Sequence, residues 1–596
     1  MQNAETVLKV LRERGRRGLP CNELYRQLFN PSLYLVAYGR IYSNDGAMTP
    51  GACGETADAM SLAKIDRIID AMRHERYRFQ PARRVHIPKK NGKRRPLGLP
   101  SWSDKLVGEV IRLLLEAYYE PRFSDRSHGF RPNRGCHTAL SEVATIWTGT
   151  TWFIEGDIAD CFGSLDHEIM LSTLSEKIRD NRFLRLIKQM LQAGYLEDWE
   201  YNATLSGVPQ GGVASPILSN IYLDRLDRFV ETVLIPQHTR GVGRAPNPVY
   251  HRISAAIKRA YRRGDRIAVR RLRVERRGIP GWDTYDPGYR RLRYSRYADD
   301  HLLGFIGPKA EAEQIKQRLA QFLHDDLKLD LSQDKTLITH ARTQAARYLG
   351  YEVTVQHSQC RPSVNGSIWL RVPRTVIKAK TAPYLERGKP ERRRTLMNCD
   401  DHVIISTYDA EYRGVVQYYL LAGDVSKLGQ LRWAAETSML KTLAAKHRST
   451  VTKMAHKYKA KVATPHGPRT CFQAVVARPG RKPLVARFGG IPLKRQKKAV
   501  INDRPPAPIT TRRKELVTRL TAGWCEWCKR HGPVETHQVR KLADLDKPGR
   551  PQPAWAQLMA QKRRKTLVVC ADCHKAIHAG QPTATPTEQS LESYVR

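Results

Sequence analysis

Residues 292–306 read LRYSRYADDHLLGFI, and the rest of the chain is organised around the middle of this stretch. Leu292 to Tyr297 and His301 to Ile306 are short apolar or aromatic runs with strand character, which places Tyr297-Ala298-Asp299-Asp300 at a hairpin tip. Two carboxylates at such a tip suit divalent cations held against a triphosphate. Adjacent aspartates also occur in ordinary acidic turns, so the reading depends on the remainder of the chain.

With 596 residues the chain is too long for one core, and at roughly 100–200 residues per domain it divides into several. Lys and Arg number 102 against 58 Asp and Glu, a net charge of +44, which calls for a polyanionic partner. No run of about 18 apolar residues is present, and Met1 to Gly18 lacks an apolar signal core. Nucleic acid rather than a membrane is therefore the expected partner. Seven of the 11 cysteines are scattered singly, the pattern of reduced thiols in a cytosolic protein. The other four, Cys525, Cys528, Cys570 and Cys573, form two Cys-x-x-Cys pairs.

Taken in order, residues 1–80 read as mostly helical, with a Gly-rich break at Asn44 to Gly54 and a helix from Ser61 to Arg73. Arg83 to Pro100 alternates into and out of an Asn91-Gly92 turn, a β-hairpin whose tip carries Lys89, Lys93, Arg94 and Arg95. That tip is either a solvated turn or a basic lid over phosphates. Thr151 to Asp157 reads as a buried strand delivering Asp157 at its end, where a carboxylate is costly unless paired or on a metal. Asp157 is thus the natural partner of Asp299. Gly207, Pro209, Gly211 and Gly212 surround Gln210 and allow close backbone approach to a ligand, ahead of an apolar helix through Leu226.

Between Arg240 and Arg296 stand seventeen Lys or Arg against four Asp or Glu, with Tyr250, Tyr261, Trp282, Tyr285, Tyr289 and Tyr294 interleaved. Such a mixture suits phosphates and stacked bases, or else a solvated basic helix. Ala310 to Leu327 reads as an amphipathic helix, Leu327 to Thr339 as a strand carrying Lys335, and residues 365–470 as helical and basic. Pro479 to Pro508 has little periodicity and reads as a basic connecting or binding segment.

Seven stretches in order, PKKNGKRRPLGLP, HGFRPNRGCHTAL, GDIADCFGSLDH, SGVPQGGVASPILSN, RYADDHLLGF, LSQDKTLI and YLGY, resemble the reverse transcriptase of bacterial group II intron-encoded proteins. The resemblance implies an α+β multidomain protein: right-hand polymerase fingers and palm, a helical thumb, a basic DNA-binding segment and a small zinc-stapled ββα-metal HNH domain. In such enzymes three aspartates matching Asp157, Asp299 and Asp300 form the palm site, with two Mg²⁺ ions on Asp157, Asp299 and the Ile158 carbonyl. Asp300 supports the site or contacts a metal indirectly. Phe162 matches the aromatic residue that crowds a ribose 2′-hydroxyl, and Gln210 the residue touching the incoming nucleotide. Arg95, with Lys89 or Lys93, matches the triphosphate-binding hairpin, and Lys335 is a proton donor to pyrophosphate by position.

The C-terminal 80 residues resemble an appended HNH nuclease. The four cysteines suit structural zinc, and His574 and His578, four apart on a helix face, join His537 in holding a divalent ion. The family usually carries two adjacent histidines, a ligand followed by a water-activating base, whereas His537 here precedes Gln538, which accepts no proton at neutral pH. Either His537 is the base with a rearranged metal shell, or cleavage is weak and the domain mostly binds DNA.

The expected division is 1–80, N-terminal extension and start of the fingers; 81–360, fingers and palm; 361–470, thumb or maturase domain; 471–515, basic DNA-binding segment; 516–580, HNH-like zinc domain; and 581–596, a disordered tail. The implied partners are intron RNA, target DNA and deoxynucleoside triphosphates in a cytoplasmic, nucleoid-associated ribonucleoprotein. An RNA-binding splicing cofactor without polymerase activity, or a reverse transcriptase serving defence or diversity generation, are the alternatives. Intact Asp157, Asp299, Asp300, Phe162 and Gln210 argue against the first.

Overall fold

The computed structural model describes residues 3–88, 92, 94–198, 200–208, 211–284, 286–332, 334–358, 361–465, 467–478, 481–501, 515–545 and 552–580. Lys89, Lys93, Gln210, the stretch 502–514 and the expected tail 581–596 lie outside the described residues.

Helices Ala4–Arg16, Pro31–Ile41 and Leu62–Arg73 build the N-terminal region around the helix Trp102–Tyr119. Asn3, Asn30, Ser61 and Ser101 each accept a backbone N–H from the first turn of the helix that follows, as N-cap residues do. Gly15 lets the first helix lie directly on the last, since a Cβ there would sit 2.0 Å from the Tyr118 carbonyl oxygen. The basic hairpin pairs Ala82–Pro88 with Arg94–Leu99 in the register Arg83↔Leu99 to Pro88↔Arg94.

The central sheet is antiparallel, in the order Arg291–Tyr297, Asp300–Ile306, Trp152–Gly156, Ile338–His340. Phe153, Ile154, Leu302, Leu303 and Phe305 are fully buried, which is why these runs are almost continuously apolar. Helices Ser215–Phe229 and Lys309–Leu327 contribute Ile221, Leu226, Ile315 and Leu319 to the core that Ile154, Leu303 and Phe305 enter. Among the described residues of the stretch expected as a strand, only Ile338 and Thr339 join the sheet, in the strand Ile338–His340. Lys335 sits on a turn, because the Ser332 carbonyl captures the N–H groups of Lys335 and Thr336.

Helices Asp401–Tyr418, Gly429–Lys446 and Val451–Tyr458 form the next region, whose core, including Tyr408, Tyr412 and Leu443, is continuous with Phe153 and Leu302 of the central sheet. The segment from Pro479 to Pro508, expected to have little periodicity, begins with a regular strand. Lys459–Thr464, Gly467–Arg478 and Arg481–Gly489 form a three-stranded meander, so residue 470 lies within a strand. Phe472, Ala474, Ala486 and Phe488 turn inward and Arg469, Val475 and Arg487 turn outward, a period of two disguised by charge.

Residues 515–580 pack against the opposite end of the chain. Strand Glu535–Gln538 lies between Thr566–Val569 and the short strand Met60–Ser61, with Thr536↔Met60 and Glu535↔Ser61 in register. Among the described residues no helix is long and apolar enough to cross a membrane.

Candidate functional site

Tyr297 pairs with Asp300, so the hairpin tip is Ala298-Asp299, with Ala298 at φ 55. An L-residue adopts that conformation only under constraint, and the constraint is visible. The Arg296 guanidinium donates to the Ala298 carbonyl at 2.9 Å, to both carboxylate oxygens of Asp227 at 2.7 and 2.6 Å, and to Ser127 Oγ at 2.9 Å. Tyr294 Oη donates to the same Asp227 at 2.8 Å. On the other side of the turn, Gly129 lies so close that a Cβ would stand 2.4 Å from Ala298 N.

Asp157 follows the strand Trp152–Gly156, and Gly156 has no room for a Cβ because the His301 ring occupies the space. The Asp157 carbonyl accepts the Ser332 N–H at 2.8 Å, which brings the Lys335 ammonium within 2.6 Å of Asp157 Oδ2. Ile158 is buried and bridges to Leu331. Burial and then the Asp157 charge raise the Asp299 carboxyl above the usual range. Asp300 is exposed, yet partial desolvation and then the charges of Asp299 and Asp157 push it up to about 7. The hydrogen bond from Lys335 to Asp157 raises the lysine in turn. Three carboxylates therefore converge, and the charge they share disfavours the ionised forms of Asp299 and Asp300; a hard divalent cation with oxygen ligands fits this donor set.

Phe162 is half-buried on the short helix Cys161–Ser164, edge-on to Phe130 at 6.3 Å. The loop before Gln210 is laid on this helix: Val208 N–H donates to the Phe162 carbonyl and Gly207 N–H to the Leu165 carbonyl, both at 2.7 Å. Gly207 takes φ +85, and a Cβ there would meet the Phe162 carbonyl oxygen at 2.7 Å. Arg95 is exposed on its strand, and its charge reaches Asp299.

Helices Pro248–Arg262 and Arg266–Arg276 pair as a hairpin over a separate small core of Ile253, Ile257 and Val269. So little of the hairpin is buried that most of its cations face solvent, and Tyr261 and Trp282 are exposed beside them. Tyr285 lies outside the described residues.

In the C-terminal region the sulfurs of Cys525, Cys528, Cys570 and Cys573 all lie within 4.8 Å of one another. Cys528 and Cys570 Sγ are 3.8 Å apart, matching the edge of about 3.8 Å of a tetrahedron with zinc–sulfur bonds of about 2.3 Å. His537, on the strand Glu535–Gln538, meets His574 and His578 of the helix Ala571–Ala579. Glu535 Oε1 holds His574 Nδ1 at 2.6 Å, which leaves Nε2 free to face the other histidines. His537 is 5% exposed, neither ring nitrogen makes a hydrogen bond, and burial pulls the ring down to about 4. A buried neutral imidazole without a partner fits a metal ligand better than a proton acceptor.

Gln538 is turned the other way. Its Nε2 donates to the Tyr42 carbonyl at 2.8 Å, and its backbone N–H donates to Asp58 Oδ1 at 2.7 Å. Position 538, where the family places its base, thus faces the N-terminal helices rather than the histidines. Asp58, Asp227 and Arg296 carry no mark in the sequence, because nothing local distinguishes a charged residue whose partner is 69 or 480 residues away.

Three family descriptions match in chain order: reverse transcriptase (RNA-dependent DNA polymerase) over 87–353, type II intron maturase over 370–471, and AI2M/AI1M-like HNH endonuclease over 525–574. The group II intron-encoded protein LtrA of Lactococcus lactis subsp. cremoris is 37% identical over 581 residues, covering 93% of this chain and 95% of LtrA. The putative COX1/OXI3 intron 1 protein of Saccharomyces cerevisiae is 33% identical over 461 residues, 73% of this chain and 55% of that one. Protein YkfC of Escherichia coli is 32% identical over 350 residues, 57% of this chain and 85% of that one. The chain accordingly belongs to the group II intron-encoded proteins, with reverse transcriptase, maturase and HNH endonuclease domains in one polypeptide.

Proposed function

We propose that Asp157 and Asp299, with the Ile158 carbonyl, hold two Mg²⁺ ions for RNA-directed DNA synthesis, and that Asp300 keeps the pair's charge and position. Bound there, the ions acidify the primer 3′-hydroxyl and neutralise charge on the leaving pyrophosphate. Lys335, held on Asp157, is placed to give a proton to that pyrophosphate. Arg95, with Lys89 or Lys93 beyond it, binds the triphosphate. Phe162 excludes a ribose 2′-hydroxyl, and Gln210 touches the incoming nucleotide. The observation that carries the reading is the convergence of three carboxylates with one lysine at the end of the central sheet.

The basic helical hairpin and the helical region after residue 370 serve intron RNA, which the protein binds as a maturase and carries to its DNA target for target-primed reverse transcription. Zn²⁺ on the four cysteines supports the C-terminal fold. His537, His574 and His578 hold the divalent ion of the nuclease site. Primer extension on an RNA template by Asp299→Ala, beside a filter-binding assay for intron RNA, tests the polymerase assignment. DNA synthesis is expected to vanish with RNA affinity kept; extension above about one percent of wild type sinks it.

A further inference from the structure

We propose that Asp58, from the N-terminal region, is the fourth protein ligand of the nuclease ion, so that the metal centre is assembled from the two ends of the chain. This rests on the reading that His537, His574 and His578 bind that ion.

One ligand atom from each of the four residues lies within 4.8 Å of the others. Asp58 Oδ2 is 2.8 Å from His578 Nε2 and 3.3 Å from His574 Nε2, while Oδ1 is 3.6 Å from His537 Nδ1. His574 and His578 Nε2 are 3.1 Å apart. Donor atoms bound at about 2.0–2.1 Å around one tetrahedral ion are separated by about 3.3 Å, the middle of this range. Two independent features aim the cluster at an ion. His537 is nine-tenths buried with both ring nitrogens lacking a hydrogen bond, and Glu535 fixes His574 so that Nε2 points inward.

The carboxylate is positioned by backbone. Ala59 N–H donates to the Thr536 carbonyl at 2.9 Å, Met60 and Ser61 extend the nuclease sheet, and Gln538 N–H holds Asp58 Oδ1. Residue 538 thus supplies an amide that steers a ligand, a role its side chain does not enter. Three imidazoles and a carboxylate suit a first-row transition ion such as Mn²⁺, Co²⁺ or Zn²⁺.

The test uses the full chain with its four-cysteine site loaded with Zn²⁺, titrated with Co²⁺ and followed by visible absorption. An N₃O four-coordinate site gives an intense d–d band without thiolate charge transfer, which separates it from the cysteine site and from an all-oxygen palm site. Wild type should saturate at one such Co²⁺ per chain. Asp58→Asn keeps an oxygen for the Gln538 N–H, and so the docking, but removes the anionic ligand; Co²⁺ should bind at least about tenfold more weakly, with an altered band. Retained zinc content and melting temperature check that this variant is folded. Wild-type affinity and band in Asp58→Asn, with loss of both in His574→Ala, overturn the inference while leaving the histidine site standing. A titration unchanged by His574→Ala, or no band in wild type, refutes the histidine site and the inference with it.

Discussion

Arg296 and Asp227 form a bidentate ion pair at 2.7 and 2.6 Å with both side chains wholly enclosed. Sixty-nine residues apart in sequence, they tie the helix Ser215–Phe229 to the strand that ends in the Ala298-Asp299 turn. A pair so enclosed adds little stability over an apolar replacement, but breaking it leaves one charge buried without compensation. Among the remaining bonds of Arg296, the one to the Ala298 carbonyl sets where Asp299 stands.

Arg296→Met should therefore destabilise the chain by about 3–5 kcal/mol, and Arg296→Met with Asp227→Leu should recover a substantial part of that. Denaturation midpoints of the three proteins measure it. Polymerase activity should stay low in the double variant, because the Ala298 carbonyl is still unanchored. Full activity in the double variant would mean that the pair is structural only.

Phe162→Ala should relax sugar discrimination. The ring is half-buried, while the Val208 and Gly207 N–H groups hold the main chain of its helix through the Phe162 and Leu165 carbonyls, so truncation opens space without loosening the backbone. Ribonucleotide against deoxynucleotide incorporation is the assay, and an unchanged ratio assigns the ring to packing with Phe130.

Changing Arg259, Arg262, Arg266 and Arg270 together to Gln should weaken intron RNA binding and flatten its salt dependence, by a slope change of about 0.7 to 0.9 for each phosphate no longer neutralised. The hairpin core of Ile253, Ile257 and Val269 is untouched by these changes. Splicing assistance should fall with RNA affinity, while extension of a short preformed primer–template persists. A salt slope equal to wild type places the RNA elsewhere.

Cys528→Ser should lower zinc content from one ion per chain towards none and expose the C-terminal region to protease, since a structural zinc site contributes folding energy directly. Atomic absorption and limited proteolysis read this out. Full zinc content in the variant would remove Cys528 from the site.

Gln538→His should leave nicking of duplex DNA within about twofold of wild type in the intact chain, because that side chain faces the Tyr42 carbonyl. A well-placed general base is typically worth about 10²–10⁴-fold. A rise of that size would show that position 538 reaches the scissile phosphate once the N-terminal region moves away.

What the sequence by itself determined is local. The alternation around Tyr297 to Asp300, the buried run ending at Asp157, the Asn91-Gly92 hairpin and the Cys-x-x-Cys pairs each lie within a few residues, where periodicity and spacing carry the information. The meander over 459–489 escaped because Lys and Arg stand on its outward face and Pro483 falls where the ladder shifts register between Val476 and Arg478. Only the tertiary structure placed Asp227 against Arg296, set Asp58 among three histidines as far as 520 residues away, and turned Gln538 from them towards Tyr42. Such pairs have no period or spacing along the chain. They arise when packed elements bring charges out of water, and the need to compensate those charges is decided by what burial places beside them.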